Sequence, residues 1–351
     1  MQNKIEKSTN QQDQCDKSNM RKAILAVPTQ FQEGFNLAKN TKLTKKFNKI
    51  MISGMGGSAL PGNILRTYQN DLLTINNDYA ILRVYQNRFY KLPHEAYDNC
   101  LNIICSHSGN TEETIASFQE AIDNNLPCVG ISAGGKIEEM CKENNIAHIK
   151  LPVPFENFQP RMATGHFTSV IIQLLINAGK LPDTTEDILK SAENLTKLMP
   201  ELEEKGKVLA RKLVGKTPVI YSSVEFKPLS LIWKIKINEN SKVPAFWNVF
   251  PELNHNEFVG FTNPQAKYFI IMLRNAEGHP RNLKRYDVTT KFLQKKGVEI
   301  ETIDILQGEM MYRLFSSLTL CDWTSYYLAL EYGVDPTPVE MVEELKKELV
   351  K

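Results

Sequence analysis

The chain has 351 residues, 42% of them apolar and 23% charged, with 42 Lys and Arg against 40 Asp and Glu. That length suits two domains with ample cores, and the near-balance of charge excludes a one-sign field aimed at nucleic acid or a membrane surface. The six cysteines (Cys15, Cys100, Cys105, Cys128, Cys141 and Cys321) show no CxxC spacing, so they read as reduced thiols of a cytoplasmic protein rather than a disulfide framework.

In chain order, residues 1–20 form a polar extension rich in Gln, Asn and Lys, without the apolar stretch of a signal peptide or anchor. From residue 49 onward, short apolar runs alternate with amphipathic stretches. Strands are expected at 50–53, 80–85, 101–105, 129–132 and 147–150, and helices at 59–68, 111–124, 136–144 and 165–178. Such alternation means βαβ units on a parallel sheet. The run Lys180-Leu181-Pro182-Asp183 breaks the pattern and opens a charged helical segment reaching about Val214. A second cycle follows, with strands at 218–222, 268–273 and 298–303 and helices at 227–238 and 281–296. Helices 310–332 and 337–350 close the chain. The expected organisation is α/β throughout: the polar extension 1–20, a first domain 21–182, a connecting helix 183–214 and a second domain 215–351. Each domain is expected to be a mostly parallel sheet flanked by helices in three α/β/α layers.

The most informative stretch is 101–114, in which an apolar run ends in Ser106, Ser108 and Thr111 just before a helical pattern. Hydroxyls and backbone N–H groups would converge at a strand-to-helix turn, where the helix dipole favours an anion such as a phosphate monoester. The plainer role for Ser108 or Thr111 is helix capping, with Glu112 and Glu113 as first-turn acids. A second turn, Gly54-Met55-Gly56-Gly57-Ser58-Ala59, follows the first strand and offers close backbone approach at Gly57 and another hydroxyl at Ser58. It also fits a dinucleotide fingerprint, but that motif wants an acid after the second strand, and Tyr85-Gln86-Asn87 stands there.

Four further side chains carry possible chemistry. Arg161 precedes a helix start beyond the last strand of the first domain; it is a permanent cation suited to an oxyanion. Glu239 falls on a row with Leu231 and Ile235, so a buried stripe ending in a carboxylate at a helix C-terminus is expected, with burial and dipole both disfavouring its charge. Those are properties of a general base. His255 lies in a polar loop between Phe250 and Phe258. On the last helix Met341, Val342, Leu345 and Leu349 define an apolar face, with Lys346 at its edge and able to reach inward, and Lys347 opposite. The remaining histidines show no metal-ligand spacing, and no metal or cofactor is expected.

Together these residues resemble the SIS-domain sugar isomerases, and within them the bifunctional phosphoglucose/phosphomannose isomerase family. The carrying segments are GMGGSALPG (54–62), SHSGNTEET (106–114), QPRMATG (159–165), NENSK (238–242) with NHNE (254–257), and DPTPVEMVEELK (335–346). The resemblance implies two SIS domains and an aldose–ketose isomerase acting on glucose 6-phosphate, mannose 6-phosphate and fructose 6-phosphate through a cis-enediol. It implies that Gly57, Ser58, Ser106, Ser108 and Thr111 hold the phosphate and that Glu239 is the base. It further implies that His255 opens the ring from the neighbouring subunit of a homodimer, Arg161 stabilises the enediolate, and Lys346 assists at the ring oxygen or pairs with Glu239. His107 departs from the pattern, standing where an apolar or small residue is expected. A non-catalytic phosphosugar sensor would leave Glu239 without a use. The isomerase half of an amidotransferase would need a glutamine-hydrolysing domain with an N-terminal cysteine, where this chain has Gln2.

Overall fold

The structure is a computed structural model and describes residues 15–43, 46–75 and 82–349. Residues 1–14 of the expected extension, 80–81 of the strand expected at 80–85, and residue 350 of the last expected helix lie outside the described residues. The chain divides into two compact units, one of residues 26–196 with 309–312, the other of 197–308 and 313–351 together with the described part of Met1–Leu25. The division falls between Thr196 and Lys197, inside the 29-residue helix Thr185–Leu213.

In the first unit, β1 (Lys49–Ser53), β2 (Arg83–Asn87), β3 (Cys100–Cys105), β4 (Cys128–Ser132) and β5 (Ala147–Lys150) form one sheet in the order β2-β1-β3-β4-β5. All four pairings are parallel, with Ile50 opposite Leu101 across β1 and β3. Every residue of β3 is buried, which explains its unbroken apolar run: helices cover both faces of a parallel sheet. Met51, Cys100 and Ala121 share one core cluster, while Ile104, Phe118, Ile137 and Met140 share another. From β1 the chain passes to β2 on one side and then to β3 on the other. Strand order therefore reverses between β1 and β3, and parallel α/β sheets open a crevice beyond the carboxyl ends of such a pair.

In the second unit, β6 (Thr217–Ser223), β7 (Phe246–Phe250), β8 (Tyr268–Arg274) and β9 (Glu299–Asp304) pair in parallel in the order β7-β6-β8-β9. Tyr221, Phe250, Ile270, Met272, Tyr286 and Leu293 form its core. β7 was not among the expected strands, nor were the helices Met20–Leu25 and Thr29–Ala38. Cys100, Cys105, Cys141 and Cys321 are buried thiols. Among the described residues, no helix is long and apolar enough to cross a membrane.

The helix Lys227–Ser241 is fastened to the helix Met310–Glu331 by polar contacts in a buried setting. Lys236 Nζ donates to both carboxylate oxygens of Asp322 at 2.6 and 2.7 Å, Trp233 Nε1 donates to Ser317 at 3.2 Å, and Asn240 Nδ2 donates to Ser325 Oγ at 2.9 Å. Removing one partner of such an ion pair leaves the other charge buried without compensation. Asp322→Ala is expected to cost about 3–5 kcal/mol, read as a lowered urea midpoint, whereas a loss below about 1 kcal/mol would mean that water reaches Lys236.

Candidate active site

The turn after β3 is held in shape by its own hydroxyls. Ser106 Oγ lies 2.9 Å from Thr111 Oγ1 and accepts from the Gly109 N–H at 3.1 Å, while Ser108 Oγ accepts from the Asn110 N–H at 3.2 Å. Ser106 is completely buried, whereas Ser108 is exposed and Thr111 half-buried. Thr111 occupies the N-cap position of the helix Glu112–Asp123, yet its hydroxyl makes no capping bond. The expected capping role therefore fails for this side chain: the Thr111 hydroxyl turns to Ser106 and leaves the first-turn amides to other acceptors. Gly109 has φ +72°, and a Cβ there would lie 1.8 Å from the Gly134 carbonyl oxygen, so only glycine fits. Asn110 Oδ1 accepts from the Lys136 N–H at 3.0 Å, tying this turn to the start of the next helix.

The turn after β1 joins it directly. The 3₁₀ turn Gly56–Ala59 brings Ser58 Oγ to the His107 N–H, which donates at 3.0 Å. A Cβ on Gly57 would stand 2.4 Å from the Arg161 backbone nitrogen and 2.7 Å from the Pro160 carbonyl carbon, so the Arg161 turn passes with no room for a side chain. Arg161 itself is 3% exposed, on the 3₁₀ turn Pro160–Met162. Gln30, on the unexpected helix Thr29–Ala38, clamps that turn. Its Nε2 donates to the Met162 carbonyl at 2.7 Å, and its Oε1 accepts from the Gly165 N–H at 3.0 Å. Gly57, Ser58, Ser106, Ser108, Thr111 and Arg161 are thus brought together at the carboxyl ends of β1 and β3. Gln30, Asn110 and His107 complete that frame and were not among the expected site residues.

In the other unit the expected residues lie apart. The buried face of the helix Lys227–Ser241 is Leu229, Trp233, Lys236, Ile237 and Asn240, and the row Leu231, Ile235, Glu239 is the half-buried face instead. Lys236 belongs to the buried face because Asp322 neutralises it, which turns the apolar stripe away from the expected row. Residues on either side of Glu239 hold the helix end. Asn238 donates to the Val243 carbonyl, Ser241 to the Ser325 carbonyl, and Lys242, left-handed at φ 59°, donates to the Glu239 and Pro336 carbonyls. The loop bearing His255 is also fixed: Asn254 bonds Thr289 and Arg285, and Glu257 accepts from Tyr221 and Asn248. His255 itself is exposed. Glu239 lies in the last turn of the helix that precedes β7, and His255 in the 3₁₀ turn Glu252–His255 that follows it.

Lys346 does not reach inward. Its side chain is 61% exposed and pairs with Glu343 at 2.6 Å, and the helix Glu340–Leu349 has no buried residue, so its expected apolar face is open, with Met341 84% exposed. Among the described residues, no group of three or more His, Cys, Asp or Glu side chains is placed to hold a metal ion.

Two parallel sheets, with hydroxyl-lined turns at a reversal of strand order, define a phosphosugar isomerase of the SIS type. Tagatose-6-phosphate ketose/aldose isomerase from Escherichia coli shares this fold with a TM-score of 0.63 at 13% identity, over 91% of this chain and 94% of that one. Residues 202–349 match the family model for the bacterial phospho-glucose isomerase C-terminal SIS domain. The bifunctional phosphoglucose/phosphomannose isomerase of Caldicellulosiruptor bescii is 34% identical over 344 residues, covering 94% of this chain and 98% of the relative. That of Aquifex aeolicus is 34% identical over 333 residues, covering 93% and 98%. The chain belongs to the bifunctional phosphoglucose/phosphomannose isomerase family.

The Gly57 contact gives a direct test of the frame. Gly57→Ala forces backbone away from backbone and is expected to cost about 1–3 kcal/mol of stability and to weaken phosphosugar binding. Unfolding and calorimetric titration on one preparation would check both, and unchanged binding would mean that the turns move independently.

Proposed function

We propose that the protein interconverts fructose 6-phosphate with glucose 6-phosphate and with mannose 6-phosphate through a cis-enediol, without a metal ion. One observation carries the reading in a chain of this family: the turns after β1 and β3 and the Arg161 turn meet at the reversal of strand order. Ser108, Thr111 and the first amides of the helix Glu112–Asp123 take the phosphate ester, while Gly57, Ser58 and Ser106 shape the cradle. Arg161 stabilises charge developing on the enediolate oxygen. The Glu239 carboxylate removes the proton from C2 of the aldose and returns it to C1, so one base serves both directions. Because the phosphate is held several carbons from the reacting pair, the sugar meets Glu239 in a fixed orientation. Use of both epimers needs rotation about C2–C3 in the enediol.

His255 opens the sugar ring of a substrate held in the site of a second subunit. The fixed loop and exposed imidazole suit that role. Lys346 acts at the ring oxygen or on Glu239 once its pair with Glu343 opens.

EDTA-treated protein supplied with fructose 6-phosphate is expected to yield both aldose phosphates at an undiminished rate; loss of activity restored by a divalent cation would remove the metal-free mechanism. Glu239→Gln is expected to lower kcat by roughly 10²–10⁴-fold while leaving phosphosugar affinity within a few-fold. An equal loss of affinity would make Glu239 a structural residue. Co-refolding the Glu239→Gln and His255→Ala chains is expected to restore about a quarter of the wild-type rate, because half of a statistical dimer population then carries one intact site of two. No restoration would place His255 and Glu239 in the same subunit's site.

A further inference from the structure

Gln30 is buried on the helix Thr29–Ala38, and neither the phosphate cradle nor the proton transfers above give its carboxamide a task. The residue is 2% exposed, and both sides of its amide are engaged within one short piece of chain. Nε2 donates to the Met162 carbonyl at 2.7 Å, and Oε1 accepts from the Gly165 N–H at 3.0 Å. Met162 ends the 3₁₀ turn Pro160–Met162, and Gly165 lies in the first turn of the helix Thr164–Asn177. A carbonyl and an N–H three residues apart are the pair that bond each other where a 3₁₀ turn runs on. The carboxamide has a donor side and an acceptor side like a peptide group, and it bridges that pair instead.

The surroundings are fitted to this one side chain. A Cβ on Gly165 would lie 2.8 Å from both Cβ and Oε1 of Gln30, so glycine is what admits the amide. Ser169 Oγ donates to the Gln30 carbonyl at 3.3 Å, and Glu33 meets His166 Nε2 at 2.7 Å. The helix Thr29–Ala38 is thereby fastened to the helix Thr164–Asn177, and the amide reaches the Arg161 turn from that anchored position. The turn also meets Gly57, where a Cβ would stand 2.4 Å from the Arg161 nitrogen. A steric contact only bars approach, whereas a pair of hydrogen bonds resists displacement in either direction. The turn keeps bonds of its own, from the Met162 N–H to Gln159 and from the Ala163 N–H to Pro160. Losing Gln30 therefore frees its placement rather than its shape.

We propose that Gln30 is a positioning residue for the isomerase reaction: its carboxamide splints the Arg161 turn to the helix Thr164–Asn177 and so fixes the arginine that stabilises the enediolate. The inference rests on the isomerase reading and on the role given there to Arg161. The turn after β3 is held by bonds in which Gln30 has no part, from Ser106 to Thr111 and to Gly109. Loss of the amide therefore lowers kcat and leaves phosphate affinity in place.

The test uses the full-length chain with Gln30→Met, which keeps the side chain's length and removes the amide, alone and combined with Arg161→Gln. kcat and KM are measured with fructose 6-phosphate, and Kd for inorganic phosphate by calorimetry, at a temperature where circular dichroism shows each variant folded. Gln30→Met is expected to lower kcat by roughly 10–100-fold, the scale of a misplaced reacting group, with KM and Kd within about threefold of wild type. The double variant is expected to match Arg161→Gln within about threefold, because a residue that acts through Arg161 then has nothing left to position. Unchanged kcat in Gln30→Met, a matching loss of phosphate affinity, or two factors that multiply in the double variant would overturn the proposal. Gln30→Glu, which keeps the acceptor for Gly165 and loses the donor to Met162, replaces the methionine variant if that one does not fold. If the wild type fails to turn over fructose 6-phosphate, the isomerase reading fails, and amide hydrogen exchange still decides the splint. Exchange at Gly165 is expected to quicken by roughly tenfold in Gln30→Met while that at Gly109 stays as in wild type. Unchanged exchange at Gly165 would remove the splint.

Discussion

The peptide of Arg161 lies against Gly57 with no space for a side chain between them, and the meeting of the turns after β1 and β3 with the Arg161 turn is built on that approach. A contact between two backbones cannot be relieved by a change of rotamer. The connections around it join a side chain to backbone: Ser58 Oγ to the His107 N–H, Asn110 Oδ1 to the Lys136 amide, and Gln30 to both Met162 and Gly165. A frame made this way is ordered by bonds within the chain itself. Ser58 and Ser106 hold turns together, the Thr111 hydroxyl turns to Ser106, and Ser108 is exposed.

Much of this was legible in the chain because parallel sheets write themselves plainly. β1, β3 and β4 are covered on both faces, so they read as short continuous apolar runs, and the polar turns that follow β1 and β3 stand out against them. β7 lies at the edge of its sheet, with Phe246 exposed and Trp247 to Val249 half-buried, and its Phe-Trp-Asn-Val-Phe run has neither clean alternation nor a fully apolar core. The helix Thr29–Ala38 was hidden for a related reason. Its buried face includes Gln30 and Gly34, one making hydrogen bonds and the other letting the helix Thr164–Asn177 approach, and neither adds to a hydrophobic period.

The misreading around Glu239 has a sharper cause. Periodicity counts lysine as a surface residue, yet Lys236 is 3% exposed because Asp322, 86 positions later, takes up its charge. A partner so distant in the chain cannot be seen from local spacing. Once Lys236 is counted as buried, the row through Trp233, Lys236 and Asn240 becomes the inward face and Glu239 moves to the boundary.

The two units hold these residues in different ways. In the one with the hydroxyl turns, Ser58 and Ser106 accept from backbone amides and Thr111 bonds Ser106, so the turns keep their shape by bonds within the chain. In the other, Glu239 is half-buried and His255 and Lys346 are exposed, on backbone that neighbouring residues fix. Fixed backbone under such a side chain lets the side chain change without shifting the turn or helix that carries it.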